Sequence, residues 1–503
     1  MSGLDPVTLQ VMAGALRASC EEMGAALIRS AYSANVKERR DCSTALFDAG
    51  GELVMQAEHI PVHLGSMPDA VGAVVELEQR PDRSWILNDP YRGGTHLPDI
   101  TLVSPVFHEG LLVAFAACRA HHADVGGPTP GSMPARPTRL EEEGVTIPPT
   151  EASPEALRDL ASQMRFPQQR LADLRAQAAA NRIGALRIAE LADRHGAERL
   201  REAMAEILAY AERRTRAALA ALPDGAWHAE DVLEDDAGGS PRDVTLRVAA
   251  TIRGDSLALD FTGTDRQVEG NLNCPLSVTR SAALFAVRAL TDPDAPPSAG
   301  AYRPIGVSAP RGCLLNAEPP AAVAAGNVET SSRVADVVIA ALAGALPAPA
   351  QGQGTMNNLT LAGEGFTYYE TIGGGQGACP EADGPSAVHV TMSNTLNTPV
   401  EALETEFPVR VREHSLRRGS GGAGNHAGGE GVVREIEALA PMRFSLISER
   451  RRHPPSGRDG GDDGALGRNA RNGESIPGKV EGNLAPGDRL RIETPGGGGH
   501  GLQ

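Results

Sequence analysis

Gly93-Gly94-Thr95-His96-Leu97-Pro98-Asp99, then Ile100-Thr101-Leu102-Val103-Ser104-Pro105-Val106-Phe107, His108-Glu109-Gly110, Leu111-Leu112-Val113-Ala114-Phe115-Ala116-Ala117-Cys118, and Arg119-Ala120-His121-His122-Ala123-Asp124 read together as one β-hairpin with polar groups at its open end. Two apolar runs flank a glycine-containing turn, so antiparallel partners are expected to carry numbers that add to about 218–220. Asp99 then falls opposite a residue close to 120, and His121 returns beside Asp99 within reach of His96. Two imidazoles and a carboxylate suit a divalent zinc, manganese, iron or cobalt ion, with a position left open for water that could serve as a nucleophile. Side chains alternate along a strand, so His121 and His122 are not expected on the same ion. The register favours His121, with His122 the alternative within an error of one or two residues. Asp124 is read as a carboxylate that orients an imidazole. A lone histidine near a strand end is ordinarily a hydrogen-bonded polar residue, but two short His/Asp groups meeting at one end of a hairpin point to a metal or catalytic centre.

Upstream, Asp5-Pro6 reads as an N-cap and first helical residue. Leu9, Met12, Leu16, Cys20, Met23 and Leu27 follow at steps of three and four, predicting a helix over Pro6 to Tyr32 with a buried face. Short apolar runs broken by Gly, Pro, Asn and Asp make the region from Asp41 to Pro128 β-rich. From Pro154 to Leu222, Ala, Leu, Arg and Glu dominate and predict a helical arm or hairpin with Leu200, Met204, Ile207, Ala211 and Ala218 on one face. Beyond Pro223, strand-like runs (Val244 to Ile252, Ser256 to Asp260) alternate with Gly-rich turns and with helices near Val278 to Leu290 and Ser331 to Leu346. Glu449 to Lys479, poor in apolar residues, reads as an exposed excursion. The fold class expected is α+β: a β-rich chain of several substructures with an N-terminal helix and a central helical segment. Its divisions are 1–150 (helix plus β-rich metal-site module), 151–225 (helical arm) and 226–503 (mixed α+β with Gly-rich loops).

Bulk properties bound the function. The 503 residues exceed what one growing core holds; 57 Gly and 37 Pro against 3% aromatics favour tight turns over long elements. A formal charge of −17 repels phosphate backbones and anionic lipid, leaving small molecules and proteins as partners. The six cysteines form no CxxC pair, and no secretory signal or span of roughly 20 apolar residues is present, so the expectation is no nucleic acid, no membrane, and a reducing cytoplasmic setting.

Two further features read blandly by themselves. Lys37-Glu38-Arg39-Arg40-Asp41-Cys42-Ser43 looks like a charged helix end. The runs Gly373 to Gly377, Arg418 to Gly422 and Gly496 to Gly499 could cradle an anion, but none matches a nucleotide-binding pattern and turns are the plainer reading.

Asn88-Asp89-Pro90-Tyr91-Arg92-Gly93-Gly94-Thr95-His96-Leu97-Pro98-Asp99-Ile100 nevertheless resembles the signature of the hydantoinase B/oxoprolinase family. So do Arg119 to Gly127, Gly326 to Ser331, Gln353 to Asn358, Tyr368 to Gly377, Asn394 to Pro399, Arg417 to Gly424 and Thr494 to Gly501. His500 departs from the pattern where an aromatic residue is expected. The resemblance implies an ATP-dependent cyclic-amide hydrolase acting on a hydantoin, 5-oxoproline or another lactam. A hydantoinase A-type partner would bind ATP and phosphorylate the substrate carbonyl oxygen, and metal-activated water would open the ring on this chain, in a hetero-oligomer. It also implies the ligand set Asp41, His96, Asp99 and His121, which moves Asp41 from helix-end residue to ligand, and it offers Arg92, Arg39 or a Gly-rich turn as holders of the phosphate. The alternatives are a subunit of an ATP-dependent ketone carboxylase, or a scaffold whose metal only ties down the hairpin.

Overall fold

Asp5 Oδ1 accepts the backbone N–H groups of Val7 and Thr8 at 3.1 and 3.0 Å, starting α1 (Pro6–Ser30) where the N-cap was expected. The apolar stripe Met12, Leu16, Cys20, Met23 and Leu27 is buried. The helix stops two residues short of the expected Tyr32 because Ala31 turns extended. The computed structural model describes residues 5–58, 60–63, 65–235 and 242–502. Further helices are α2 (Ala34–Lys37), α3 (Met67–Val75), α4 (Pro154–Ser162), α5 (Pro167–His195), α6 (Ala197–Ala220), α7 (Leu276–Thr291), α8 (Ala299–Tyr302), α9 (Ser331–Leu342) and α10 (Val400–Glu406).

The first sheet positions the site. It comprises β1 (Cys42–Asp48), β2 (Leu53–Glu58), β3 (Trp85–Leu87), β4 (Asp99–His108), β5 (Leu111–His121) and β6 (Thr150–Glu151), in the order β2-β1-β5-β4-β3-β6. β4 and β5 form the hairpin read from the sequence, with Asp99 opposite His121 and Leu102 opposite Cys118; a bulge between Val106 and Phe107 shifts the register by one near the turn. β1 covers the other edge of β5 with Cys42 opposite Ala120, so Asp41 arrives beside His121.

α1 and α5 cover one face of this sheet. Gln177 Nε2 donates to Ile100 O (2.9 Å) and Asn181 Nδ2 to Leu102 O (3.0 Å). Within the helical segment α5 is therefore laid over the β4–β5 hairpin instead of projecting as an arm, because its buried face has the sheet to pack on, and α6 follows it directly after Gly196. On α6, Leu200, Met204, Ile207 and Ala211 are buried as expected, with Leu219 in place of Ala218.

A second sheet, β10-β9-β8-β7, consists of β7 (Gly225–Asp235), β8 (Arg242–Arg253), β9 (Ser256–Asp260) and β10 (Ile305–Ser308), and shares a core with α7 and α9. The remaining strands are β11 (Asn358–Gly363), β12 (Phe366–Glu370), β13 (Val409–Arg417), β14 (Gly431–Ala438), β15 (Met442–Ile447), β16 (Arg468–Arg471), β17 (Glu474–Ser475), β18 (Lys479–Leu484) and β19 (Arg489–Glu493). They form the sheets β12-β11-β15-β18 and β13-β14-β19-β16-β17, which contribute to one core, including Leu361, Tyr368, Ile436 and Ile492. The α+β reading holds, with helices and several sheets interleaved.

Two expectations are corrected. Glu449 to Lys479 is no exposed excursion at its ends: Glu449, Arg450 and Lys479 are buried. Lys479 Nζ sits 2.5 Å from Glu449 Oε1, and Arg450 Nη2 lies 3.0 and 3.2 Å from Asp231 and Asp336. Charged composition reads as solvent-facing, but here the counter-charges come from residues far away in sequence. The Gly-rich runs are not isolated turns. They lie side by side, with Gly422 N–H donating to Gly497 O, Gly497 N–H to Gly429 O and Gly429 N–H to Gln376 O, each at 2.8–2.9 Å. A Cβ on Gly496 would stand 1.8 Å from Ser420 O. Glycine is required there because backbone packs directly on backbone.

Candidate metal centre

The turn before β4 is held by Asn88, which is fully buried. Its Nδ2 donates to Leu97 O (2.7 Å) and Val145 O (2.9 Å), and its Oδ1 accepts Ile147 N–H (2.6 Å). The chain doubles back so tightly that a Cβ on Gly94 would meet Asn88 O at 2.2 Å. That turn points His96 back at the first residue of the strand, Asp99. The hairpin register supplies His121, and donor atoms of His96, Asp99 and His121 all lie within 4.8 Å of one another, with all three residues buried.

Asp99 is the hub. Its Oδ1 lies 3.2 Å from His121 Nδ1 and 3.2 Å from His96 Nε2, the latter off hydrogen-bonding geometry. Its Oδ2 accepts Thr95 Oγ1 (2.8 Å) and Asn327 Nδ2 (3.3 Å) and lies 3.5 Å from His63 Nε2, whose Nδ1 meets Ser43 Oγ at 3.0 Å. Burial acts to raise the Asp99 carboxyl, but the surrounding imidazoles hold it well below the usual carboxylate range. Burial lowers the His96 imidazole, which favours the neutral form with a free lone pair. For His121, burial is outweighed by the Asp99 hydrogen bond and the charges of Asp41 and Asp99, and its value is raised.

Both His96 nitrogens and His121 Nε2 lack a hydrogen-bond partner among the described residues. Buried polar atoms seldom go unpaired, and a lone pair on a buried imidazole beside a carboxylate is what a borderline divalent cation takes. The donor set thus fits a metal ion. Asp41, 6% exposed, stands outside the 4.8 Å group; its backbone carbonyl accepts His121 N–H at 3.0 Å and its charge acts on both His96 and His121.

His122 turns to the opposite face, as strand alternation requires. Its Nε2 is 2.9 Å from Gln177 Oε1, and burial lowers its imidazole to about 4. Among the described residues, Asp124 has no histidine as a hydrogen-bond partner. Its oxygens accept Gly126 N–H (2.8 Å) and Gly131 N–H (2.7 Å) and pair with Arg165 Nη1 (3.1 Å), so it ties down the loop after β5 instead of orienting an imidazole. The sequence reading missed its destination because the loop partners lie beyond the strand register.

Residues beyond the expected ligand set complete the site. Tyr369 stacks on His121 with ring centroids 4.7 Å apart and 14° between planes, and its hydroxyl donates to Asn358 Oδ1 (2.8 Å). Asn327 comes from a π-helical segment, Gly326–Thr330, a wide turn that recurs at functional sites. His63 belongs to no motif and carries no periodic signal. Arg39, fully buried, reaches past Tyr369, its guanidinium carbon 5.9 Å from the ring centre. Its Nη2 donates to Thr371 Oγ1 (2.7 Å) and Thr395 Oγ1 (2.8 Å), while Nε and Nη1 have no partner among the described residues.

The family model described as Hydantoinase B/oxoprolinase matches residues 5–503. A 5-oxoprolinase of Dictyostelium discoideum is 38% identical over 99% of this chain, which spans 40% of that relative's length. A protein of Pseudomonas sp. (strain NS671) assigned as a D-/L-hydantoinase component of the B type is 31% identical, with 99% of this chain and 90% of the relative covered. Among solved structures, the ATP-dependent caprolactamase from Pseudomonas jessenii superposes with a TM-score of 0.93 at 28% identity, covering 99% of this chain and 92% of that one. A nucleotide-free acetone carboxylase shares the fold with a TM-score of 0.88 at 17% identity, covering 99% and 76%.

Proposed function

Because the chain belongs to the hydantoinase B/oxoprolinase family, we propose that it is the metal-bearing catalytic subunit of an ATP-dependent cyclic-amide hydrolase, working with an A-type partner that phosphorylates the substrate carbonyl oxygen. The observation that carries this reading is the convergence of His96, Asp99 and His121, buried, within 4.8 Å, with unpartnered imidazole nitrogens.

In this reading His96, Asp99 and His121 hold a divalent ion, with Asp41 closing the set. Bound there, such an ion supplies Lewis-acid polarisation and lowers the pKa of water at neutral pH. Asp99 Oδ1 holds the His121 ring at Nδ1 and stands beside His96, while Thr95 and Asn327 hold its Oδ2, so the carboxylate is set in place before charge develops. Tyr369 keeps the His121 ring in plane by stacking. Arg39 receives the phosphoryl oxygens of the activated substrate. Its guanidinium is buried, and no carboxylate lies within 4.0 Å of it among the described residues, so an incoming anion would compensate its charge. An unstrained amide is a poor electrophile; phosphorylation of its carbonyl oxygen would make the carbon more electrophilic, and an ion held by His96, Asp99 and His121 would make water a better nucleophile. The superposition on a caprolactamase supports a lactam-type ring as substrate.

The test is ATP-dependent ring opening of a panel of small lactams and hydantoins by this chain co-expressed with an A-type partner. Turnover should require ATP, partner and His121, and His121→Ala should lower it by more than about a hundredfold, the upper end of what losing a ligand's outer partner costs. Bicarbonate-dependent ketone consumption with no ring opening would instead establish the carboxylase.

A further inference from the structure

Strand alternation that sends Tyr369 to His121 sends its neighbour Tyr368 the other way, and a cavity of about 160 Å³ lies there, lined among others by Tyr368, Ala123 and Arg170. Three of its side chains are buried and carry donor atoms that have no acceptor among the described residues. Arg170 is 2% exposed; its Nη2 lies 3.7 Å from Asp173 Oδ2 and 3.4 Å from Gln169 Oε1, but Nε and Nη1 have no partner among the described residues. Asn35, 1% exposed, leaves its Nδ2 free, and Ser33, 5% exposed, its Oγ. Leaving several donors unpaired around one cavity costs free energy that a ligand with acceptor oxygens would recover.

The rest of the wall restricts the ligand. Phe366 and Phe407 are apolar, and Glu406 brings a carboxylate. Asp173 supplies one counter-charge to Arg170 across 3.7 Å through Oδ2, while its Oδ1 accepts Tyr32 N–H (2.7 Å) and Ser33 N–H (3.1 Å); Arg170 Nε and Nη1, Asn35 Nδ2 and Ser33 Oγ still have no acceptor among the described residues. A cation-and-amide end, an apolar stretch and an acidic end together match a short aliphatic amino-carboxylate. Hydrolysis of an O-phosphorylated cyclic amide yields that class of molecule: the ring C–N bond breaks, a water oxygen joins the carbonyl carbon, nitrogen leaves as an amine carrying a proton, and the phosphoryl group is released to a second water as inorganic phosphate. Resting on the hydrolase reading above, the geometry points to this cavity as a product-holding subsite, with Arg170, Asn35 and Ser33 taking the carboxylate and Glu406 the ammonium. The cavity also bears on the metal centre through the chain itself, since Asn35 O accepts Asp41 N–H at 2.9 Å.

The experiment is calorimetric titration of the full chain, without ATP or partner, with 5-aminopentanoate, pentanoate and pentylamine. Saturable binding of 5-aminopentanoate is expected, weakened at least about tenfold by Arg170→Gln and by Asn35→Leu, each of which removes charge-assisted or amide hydrogen bonds. Glu406→Gln should weaken 5-aminopentanoate and leave pentanoate unchanged. Absence of saturable binding to the wild type, or undiminished binding in both Arg170→Gln and Asn35→Leu, as binding at the metal centre would give, overturns the subsite. Equal affinity for pentanoate and 5-aminopentanoate overturns its acidic end. Should Arg170→Gln fail to fold by circular dichroism, Asn35→Leu decides. Failure of ring opening with retained binding would sink the hydrolase reading and leave the amino-carboxylate site standing; the reverse would sink only the subsite.

Discussion

Asp99 shows how much depends on one side chain: one oxygen faces two imidazoles and the other is held by Thr95 and Asn327. On the proposed ligand set, Asn327→Ala removes a partner of Asp99 without touching the imidazoles, so metal affinity should fall by about 10–100-fold with the fold intact, measured by competition with a chromogenic chelator; unchanged affinity would remove Asn327 from the site. Glu143 offers a pH test. Burial pushes its carboxyl up to about 8 although Val323 and Ala324 N–H groups donate to it at 3.1 and 2.8 Å. A folded-state value above the unfolded one, about 4.3, means the folded chain keeps a proton that the unfolded chain has lost, so stability falls as pH rises from about 4.3 to 8. Glu143→Gln should therefore gain on the wild type across that window, by up to roughly 5 kcal/mol, and level off above it. A melting-temperature difference that is flat with pH would refute this. At this scale His96, Asp99 and His121 were legible because they flank a recognisable hairpin. Asn327 and His63 were not, since no local pattern connects them to Asp99.

Among the elements, the β4–β5 hairpin was readable to within a residue because a glycine turn between two apolar runs dictates antiparallel register. The glycine array was not. Its runs look like turns singly, and only their mutual hydrogen bonds show that backbone must touch backbone. Gly496→Ala, placing a Cβ 1.8 Å from Ser420 O, is expected to cost more than about 3 kcal/mol or to abolish soluble folding. Gly14→Ala on the exposed side of α1, with nothing within 4 Å, should stabilise by about 0.5–1 kcal/mol. Chemical denaturation of the two variants checks both signs.

For the molecule as a whole, the centre joins the turn before β4, the start of β4 and the end of β5, with β1's leading residue alongside, so metal binding should be coupled to global stability. A chelator is expected to lower the melting temperature. Re-addition of a divalent transition metal at a thousandfold excess over its Kd should return about 4 kcal/mol, and His121→Ala should show neither change. No helix among the described residues is long and apolar enough to cross a membrane.

Elements whose information is local could be read from the chain before it folds: the capped first helix, the hairpin and its register, the amphipathic central helices, and a family signature concentrated at the hairpin's open end. Folding in three dimensions was needed to show that the helical segment lies on the sheet, that the Glu449–Lys479 stretch buries paired charges, that Asp124 serves a loop and His122 faces away, and that Tyr369, Asn327 and Arg39 gather at the centre. The difference lies in the range of the interactions. Periodicity and turn chemistry act over a few residues, whereas charge compensation, stacking and backbone-on-backbone packing join positions tens to hundreds of residues apart and leave no periodic trace in the chain.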